Sequence, residues 1–402
     1  MKNNLLKLIY IVSFLYCCSV FAGSRNAIDL ENPVPGRWSE EKINAWYDEL
    51  PWLVGCNYYP ATAINQIEMW QASSWDAERI ELELGWAEEI GMNTLRVYLH
   101  DLVWADDEEG LYERMDEFLN ICEKRGIRPS FVFFDDCHRP DPKLGKQPLP
   151  VKAYHNSRWL NSPARELAER YSFGKASDEE IARLKGYVQR TMEHFRSDER
   201  VLYWELYNEP GRGQGLTGDM ESTSVKGAFG DQSKQLVYDS WVWAREVNPS
   251  QPITSTTLGS VGKKNIKINR INSDLHSLHS YGNLEATRGR ITTYFEDNRP
   301  LIMTEWLGRP NSLPAEMLPY FKEHKIGAIN WGFVAGKSQT TFHWRSRQNR
   351  DVYQERKDGN VFDLTDPIPE PESGIWFHDL FRLDGTPYDP AEIEVFKKLT
   401  GN

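Results

Sequence analysis

Cysteine is scarce in this 402-residue chain, and its spacing suggests no framework. Five cysteines are present, and two of them, Cys17 and Cys18, lie in an apolar N-terminal stretch. The remaining three, Cys56, Cys122 and Cys137, are odd in number and show no Cys-x-x-Cys spacing. Neither a disulfide framework nor a zinc knuckle is therefore indicated. We expect these three residues to be buried free thiols.

Basic charge is also in short supply. The chain has 47 Lys and Arg residues against 59 Asp and Glu, a formal net charge of −12. A general nucleic-acid binder needs a basic surface to neutralise phosphates, so the charge argues against nucleic acid as a partner. Aromatic residues, by contrast, are frequent, with 15 Trp, 18 Tyr and 17 Phe. They fit a large core or sugar binding, because the apolar face of a pyranose packs on an aromatic ring.

Long apolar runs are missing except at the N-terminus. Lys2 is followed by an apolar stretch over residues 5–22, with Val20 and Ala22 at the −3 and −1 positions of a peptidase site. The stretch is short and interrupted by a lysine, so it predicts a signal peptide over residues 1–22 rather than a stable membrane span. We expect a secreted or periplasmic protein. Residues 15–18 fit a lipoprotein box less well, with anchoring through Cys17 or Cys18 as the alternative.

Eight apolar, β-branched or aromatic runs recur along the rest of the chain, separated by polar loops and helical patterns. Such alternation predicts parallel strands joined by helices. The runs cover residues 52–58, 94–99, 129–134, 201–207, 253–257, 275–281, 301–304 and 328–334. Eight strands in this order favour a closed (β/α)8 TIM barrel. A doubly wound open sheet is the alternative, but no glycine-rich phosphate loop follows the first strand.

Helix signals lie between most of the runs. Asp76 is placed to cap a helix that ends before Gly91, and a second helix is predicted from Met115 to Arg125. The pattern Ser177-x-x-Glu180 predicts a capping box. The segment between the fifth and sixth runs is short, and we do not expect a clear helix there. We predict a single barrel domain over residues 23–402, with a lead-in over residues 23–50 and a closing helix over residues 390–400. The sequence gives no indication of oligomeric state.

Three long loops follow strands, over residues 138–161, 211–234 and 336–374, and in a barrel such loops build the active-site face. Aromatic residues predict ordered packing in two of the loops: Trp159, Phe342, Trp344, Tyr353 and Phe362. Walls built from the loops after strands three and eight would favour exo-action or short oligosaccharides. The loops also hold basic residues that suit uronic acids, although scattered loop charges are usually only solvated: Lys143, Lys146, Arg158, Lys337, Arg345, Arg347 and Arg350.

Two glutamates stand where barrel enzymes place catalytic groups. Glu209 follows the fourth predicted strand, and Glu305 ends the seventh. They are 96 residues apart (305 − 209), which equals three βα units of about 32 residues. Glycoside hydrolysis needs one carboxyl group that donates a proton to the leaving oxygen, and a second that attacks the anomeric carbon or activates water. The pair therefore points to a glycosidase acting on a carbohydrate substrate.

The run Asn208-Glu209-Pro210, together with Glu305, resembles the clan-A glycoside hydrolases, the superfamily of the family-5 cellulases and mannanases. The resemblance covers most of the chain, strand by strand. It implies that Glu209 is the acid/base, protonated in a relatively dry pocket, and that Glu305 is the nucleophile. Anomeric configuration would then be retained, and the two carboxyl groups would lie about 5 Å apart.

Further site residues follow from the resemblance. Arg96 matches the arginine that holds the nucleophile ionised, with a structural ion pair as the competing interpretation. Asn208 matches the residue that binds the sugar 2-hydroxyl. In His279-Ser-Tyr281, Tyr281 would bond the nucleophile and His279 would contact sugar. Trp331 resembles the aromatic floor under the cleaved sugar, although a core tryptophan fits it equally well.

The run Asp136-Cys-His138 looks like the Asp-x-His of family 5, with His138 as a sugar contact. Asp135, Asp136, His138 and Asp141 would also suit a metal, but acidic clusters at loop starts are more often turn caps. His276 and His279 should point to opposite faces of one strand. We therefore expect no catalytic metal and no cofactor. The competing classes are a non-catalytic carbohydrate-binding barrel and a metal-dependent hydrolase.

Overall fold

The structure of the protein, a computed structural model, describes residues 25–213, 229–347 and 360–402. The predicted signal peptide, Arg350 and Tyr353 lie outside these residues, and the side chain of Arg347 is likewise not described. Across the part of the chain that is described, no helix combines the length and the apolar character needed to cross a membrane.

Nine parallel strand segments form one sheet that closes almost completely into a barrel. They make eight barrel strands, because two short segments flank Ser255 and together form the fifth. The strands are β1 Val54–Asn57, β2 Thr94–Tyr98, β3 Arg128–Asp135, β4 Trp204–Asn208, β5 Ile253–Thr254 with Thr256–Leu258, β6 His276–His279, β7 Leu301–Glu305 and β8 Gly327–Asn330. Each of the eight predicted runs overlaps one of these strands, so the predicted (β/α)8 barrel is confirmed.

The strand order runs from β5 through β4, β3, β2 and β1 to β8, β7 and β6, and β1 pairs with both β2 and β8. β4 and β8 therefore face each other across the ring, four strands apart. Because all strands are parallel, their carboxyl ends meet at one mouth. Glu209 and Glu305 both lie at that mouth.

Helices surround the barrel, and most of the predicted ones are present. They are α1 Glu40–Asp48, α2 Gln66–Trp70, α3 Ala77–Glu89, α4 Asp101–Asp106, α5 Glu108–Glu123, α6 Arg165–Ser172, α7 Asp178–His194, α8 Lys234–Val247, α9 Lys263–Asn272, α10 Leu284–Phe295, α11 Pro314–Glu323 and α12 Pro390–Thr400. Two short 3-10 helices cover Gly230–Ser233 and Trp344–Arg347.

Local capping chemistry explains several helix ends. Asp76 accepts the backbone N–H of Arg79 at the start of α3, and Gly91 follows that helix with a φ of +77°. The capping box of Ser177 and Glu180 is present at the start of α7. Side-chain caps of this kind satisfy backbone N–H groups that have no partner within the helix.

The expectation of no clear helix between β5 and β6 is wrong, because α9 spans ten residues there. Its inward face carries Asn265, Ile268, Asn269 and Asn272, all buried. Amides replace most of the apolar stripe that marks a helix in sequence. Asn269 Nδ2 donates to Thr256 O at 2.8 Å, so hydrogen bonds rather than apolar contacts fasten this face to the barrel.

The opposite, amino-terminal end of the barrel is closed by apolar packing. Trp38 and Ile43, from the lead-in and α1, pack against residues that precede or begin the strands. These partners are Leu53, Leu202, Tyr203, Leu275, Ile302 and Ile329. This end therefore contributes to stability and directs any chemistry to the mouth.

The expected ordered packing of the long loops is confirmed where the loops are described. Trp159, Phe342 and Phe362 are buried, and Trp344 is half-buried with its ring 4.9 Å from the ring of Tyr281. Of the three thiols, Cys56 and Cys122 are buried as expected. Cys137 is only partly buried, because it lies at the mouth beside Glu209 rather than in the core.

Candidate active site

Glu209 stands directly after β4 on a strained turn. Its φ is +42°, a left-handed conformation that costs a non-glycine residue energy and that collects at functional sites. Asp136 stabilises the turn, since its carboxylate accepts the backbone N–H of Gly211 at 2.7 Å and the hydroxyl of Tyr207 at 2.8 Å. Asp136, which was considered above as a metal ligand, thus supports the turn that carries Glu209.

Two cationic or polar partners hold the Glu209 carboxylate. His279 Nδ1 lies 2.9 Å from Oε1, and Arg212 Nε lies 2.7 Å from Oε2. Burial alone would raise the pKa of Glu209, but Arg212, His279 and the Cys137 thiol together hold the pKa well below its ordinary value. This arrangement favours the ionised form of Glu209, and the protonated acid that the resemblance implies stays a prediction.

Glu305, the last residue of β7, is held from both sides. Its Oε1 accepts from Arg96 Nη1 at 3.0 Å and from the Tyr98 hydroxyl at 3.1 Å. Its Oε2 accepts from the Tyr281 hydroxyl at 2.8 Å and lies 3.4 Å from His279 Nδ1. Three donors thus fix this carboxylate, and His279 lies between it and Glu209.

Arg96 combines the two roles that the sequence left open. It forms an ion pair with Glu205, Nε to Oε2 at 2.7 Å, and both side chains are fully buried. It also contacts Glu305 and donates from Nη2 to Asn208 Oδ1 at 2.8 Å. Glu205 lies three residues before Asn208, which ends β4 at the mouth. It also accepts hydrogen bonds from the hydroxyls of Thr256 and Ser277. Sequence reasoning missed Glu205, which is hidden inside an otherwise apolar run.

Asn208 and His138 are linked through Asp135. Asn208 Nδ2 donates to Asp135 Oδ2 at 2.8 Å, and His138 Nδ1 lies 2.9 Å from Asp135 Oδ1. The ring of His138 lies nearly parallel to that of Trp331, with centroids 6.2 Å apart and planes 17° apart. Asp135 thus orients two predicted sugar contacts, a role that sequence reasoning assigned to no residue.

Trp331 follows β8 and is 4 % exposed. Its ring lies 5.9 Å from Trp159, 6.0 Å from Tyr98 and 6.5 Å from Tyr59. The structure therefore places Trp331 in an aromatic cluster at the mouth, beside Tyr98, whose hydroxyl donates to Glu305. Core packing and contact with a sugar are both compatible with that position.

The carboxylates and His279 form one compact group. One side-chain nitrogen of His279 and one carboxylate oxygen from each of Glu209 and Glu305 all lie within 4.8 Å of one another. At least one oxygen of Glu209 is therefore no more than 4.8 Å from an oxygen of Glu305. Such a trio has donors that suit a divalent cation. Arg96 and Arg212 already contact these two carboxylates, and their positive charge opposes a cation there. The alternative acidic cluster does not converge: Asp135 and Asp136 accept protein hydrogen bonds, Asp141 is exposed, and His276 pairs with Asp297 away from His279.

Two of the basic loop residues that were considered for uronic acids have structural partners. Arg158 donates to Leu149 O at 2.9 Å, and Lys337 pairs with Glu68 at 3.0 Å. Arg345 is exposed. Arg212, which was not predicted from the sequence, is the loop arginine that contacts Glu209.

Solved structures with the same fold come from enzymes that act on mannose-containing glycans. The endo-β-1,4-mannanase of Thermotoga petrophila shares 12 % identity over 88 % of this chain and 77 % of its own, with a TM-score of 0.50. The β-mannanase of the blue mussel Mytilus edulis shares 14 % identity over 76 % of this chain and 92 % of its own, also at 0.50. The exo-β-1,4-mannosidase of Opitutaceae bacterium strain TAV5 shares 17 % identity over 87 % of this chain and 59 % of its own, again at 0.50.

The sequence matches no protein-family model and no curated protein. At the identities found, the likeness to solved structures establishes the fold alone. The predicted resemblance to clan-A, family-5-like glycoside hydrolases is confirmed at that level.

Proposed function

We propose that the protein is a retaining β-glycoside hydrolase in which Glu209 is the acid/base and Glu305 the nucleophile. The observation that carries the proposal is the pair of carboxylates at the ends of β4 and β7, whose oxygens approach within 4.8 Å. Retaining enzymes place their two carboxyl groups about 5–5.5 Å apart, whereas inverting enzymes leave room for a water molecule between them. Glu209 is held by Arg212 and His279. Glu305 is held by Arg96 and two tyrosine hydroxyls, and these different partners suit different roles in the reaction.

The proposed reaction has two steps. In the first, a carboxylate oxygen of Glu305 forms a bond to the anomeric carbon, the glycosidic C–O bond breaks, and Glu209 gives its proton to the departing oxygen. In the second, Glu209 takes a proton from water, whose oxygen bonds to the anomeric carbon and releases Glu305. Arg96, Tyr98 and Tyr281 keep Glu305 oriented for attack.

The ion pair between Arg212 and Glu209 must open before Glu209 can act as an acid. A leaving-group oxygen has to lie within hydrogen-bond reach of Glu209, and Arg212 Nε occupies that reach at Oε2. Arg212 is also anchored elsewhere, since it donates to Gly259 O from Nε at 3.0 Å and from Nη2 at 2.6 Å. We propose that Arg212 stays on this carbonyl while the entering substrate takes its place on Glu209.

The substrate is proposed to be a β-linked poly- or oligosaccharide. Because these structural neighbours are mannanases and a mannosidase, β-1,4-mannosides are the first compounds to test. Export to the cell exterior or periplasm is part of the proposal and depends on the apolar stretch over residues 1–22.

Hydrolysis measurements on a panel test the proposal. The panel holds 4-nitrophenyl β-mannoside, β-glucoside and β-xyloside with the matching β-1,4-linked polysaccharides, and it is run for wild type, Glu209→Gln and Glu305→Gln. We expect each variant to lose activity by about 10²–10⁴-fold or more while circular dichroism stays unchanged. Glu316→Gln, an exposed position on α11, is the matched control and should keep full activity.

Three further measurements separate the retaining mechanism and the competing classes. Proton NMR of the first product should show the β-anomer, and an α-anomer would contradict the retaining mechanism. Glycan binding without hydrolysis would instead support a non-catalytic binding barrel, which the presence of both carboxylates disfavours. Loss of hydrolysis on treatment with EDTA would support a metal-dependent hydrolase.

A further inference from the structure

The long loops after β3 and β8 join into one continuous layer over the mouth. Val151 forms an antiparallel bridge with Val361. Asn156 N donates to Ser338 O at 2.8 Å, and Gln339 Nε2 donates to Val151 O at 2.7 Å. We call this layer the loop wall, consisting of residues 147–161, 336–346 and 360–362.

The loop wall stands over β1, which lies between β8 and β2 in the barrel. Lys337 N donates to Ala61 O at 3.0 Å, and Gln66 Nε2 donates to Leu160 O at 2.8 Å. Both halves of the wall are thus fastened to the segment that follows β1. The wall therefore closes the β8–β1–β2 side of the mouth.

The position of Glu209 shows which end of a substrate would meet this wall. A general acid must contact the leaving-group oxygen, and Glu209 follows β4, across the ring from β8. Arg212 extends from Glu209 to Gly259 after β5, on that same far side. The leaving group therefore lies toward β4 and β5, and the sugar that is attacked points its non-reducing end toward Trp331 and the loop wall.

Trp159 fills the space behind that sugar. The wall inserts it into the mouth, where it is 1 % exposed. Its ring centroid lies 4.7 Å from Tyr59, 5.9 Å from Trp331 and 5.9 Å from His138. Because it is packed on three sides, Trp159 would have to move for a second sugar to extend past Trp331.

Several buried polar atoms of the wall, among them Asn161 Nδ2 and Thr341 Oγ1, have no hydrogen-bond partner among the described residues, and two belong to residues that contact His138. These two are the indole N–H of Trp159 and Oδ1 of Asn156. Asn156 reaches the site directly, because its Nδ2 lies 3.3 Å from His138 Nε2. Leaving a buried polar atom unsatisfied costs about 1–3 kcal/mol. One is a donor and the other an acceptor, and a sugar hydroxyl both accepts and donates.

We propose that the enzyme is exo-acting and removes one sugar at a time from the non-reducing end, with Trp159 and Asn156 binding a hydroxyl of that terminal sugar. The inference rests on the proposed glycosidase function and deepens it. Trp159 is then a specificity-determining residue, because it limits the glycone side of the site to one sugar.

The product pattern on defined oligosaccharides tests the proposal. Mannopentaose, cellopentaose and xylopentaose, each labelled with a fluorophore at the reducing end, are incubated briefly with the full-length protein and separated by chromatography. We expect the first products to be a monosaccharide and the labelled tetrasaccharide. Labelled mono-, di- or trisaccharides as first products would overturn the exo-action and leave the glycosidase intact. No cleavage of any of these compounds or of aryl glycosides would overturn the glycosidase function itself.

Substitutions at Trp159 add an independent check. Trp159→Ala opens space behind the first sugar, and we expect labelled trisaccharide to appear as a first product. Trp159→Phe keeps most of the filled volume but lacks the N–H, so we expect the wild-type product pattern with KM raised roughly tenfold. An unchanged pattern in a folded Trp159→Ala variant would contradict the role of Trp159, and the wild-type pattern decides the matter if that variant does not fold.

Discussion

Removing the positive charge beside Glu209 has a consequence that can be read from a pH profile. In Arg212→Ala, the contact between Arg212 Nε and Glu209 Oε2, 2.7 Å in the wild type, is lost. Burial, which raises the pKa of Glu209, remains. The His279 contact at 2.9 Å also remains and lowers it. The balance therefore shifts upward, and we expect the pKa of Glu209 to rise.

The size of the shift follows from the kind of contact. An opposite charge within a few ångströms lowers the pKa of a carboxyl group by about 1–3 units. Each unit corresponds to about 1.4 kcal/mol between the two protonation states. The Arg212 side chain is 28 % exposed and that of Glu209 8 %, so solvent screens this contact only in part. We expect a rise of about 1–2 units.

The direction of the kinetic effect is fixed by the role of Glu209. The acid must be protonated in the first step, so kcat/KM falls on the basic side when Glu209 ionises. A higher pKa keeps it protonated to higher pH, and the basic limb of the profile should move up by the same 1–2 units. The assay is kcat/KM between about pH 2 and pH 9 on the best aryl glycoside of the panel, so that the wild-type basic limb, which the low pKa of Glu209 places at acid pH, is included.

Two control variants make the result decisive. Arg212→Lys keeps the charge and should leave the basic limb within about half a unit of wild type. Arg290→Ala removes an exposed arginine on α10 and should leave it unchanged. A basic limb that stays in place in Arg212→Ala would refute the assignment of Glu209 as the acid controlled by Arg212, whatever happens to the maximal rate.

Two further predictions concern other polar contacts. Tyr281→Phe removes the 2.8 Å hydrogen bond to Glu305, so we expect kcat/KM to fall about 10- to 100-fold with the melting temperature nearly unchanged; a fall of less than twofold would contradict its role in orienting Glu305. Glu83 lies in the core, where burial outweighs Arg79 and raises its pKa to about 7. A raised carboxyl pKa contributes stability below about pH 4.5 that is lost as pH rises through 7, so Glu83→Gln should remove about 3 kcal/mol of pH dependence from the free energy of unfolding measured in urea. An identical pH dependence in wild type and variant would argue against a raised pKa.

The barrel could be predicted from sequence because its strands are buried on both faces. Runs such as residues 129–134 and 201–207 are apolar enough to stand out against their loops, and β3 and β4 lie where they indicate. α9 could not be predicted, since Asn265, Asn269 and Asn272 carry its buried face. Amides on an inward face look like a surface loop until their partners are known.

In the candidate site, too, some residues could be predicted from the sequence and others could not. Glu209, Glu305 and Tyr281 lie at strand ends, where the parallel barrel brings them together. Arg212 gave no signal, because an arginine in a glycine-containing loop is ordinarily solvated. Its effect on the pKa of Glu209 depends on a turn and a carbonyl from another loop, and neither is written in the local sequence.

The double pairing of Arg96 bears on how this barrel can evolve. A buried guanidinium that loses its only carboxylate destabilises a fold by several kcal/mol. Arg96 has Glu205 as well as Glu305, so a lineage that loses Glu305 still has a neutralised arginine and an intact barrel. Under the proposed chemistry, a single substitution of Glu305 would give a descendant that binds glycans without cleaving them. The same tolerance makes Glu305→Gln a suitable variant for trapping an uncleaved substrate in crystals.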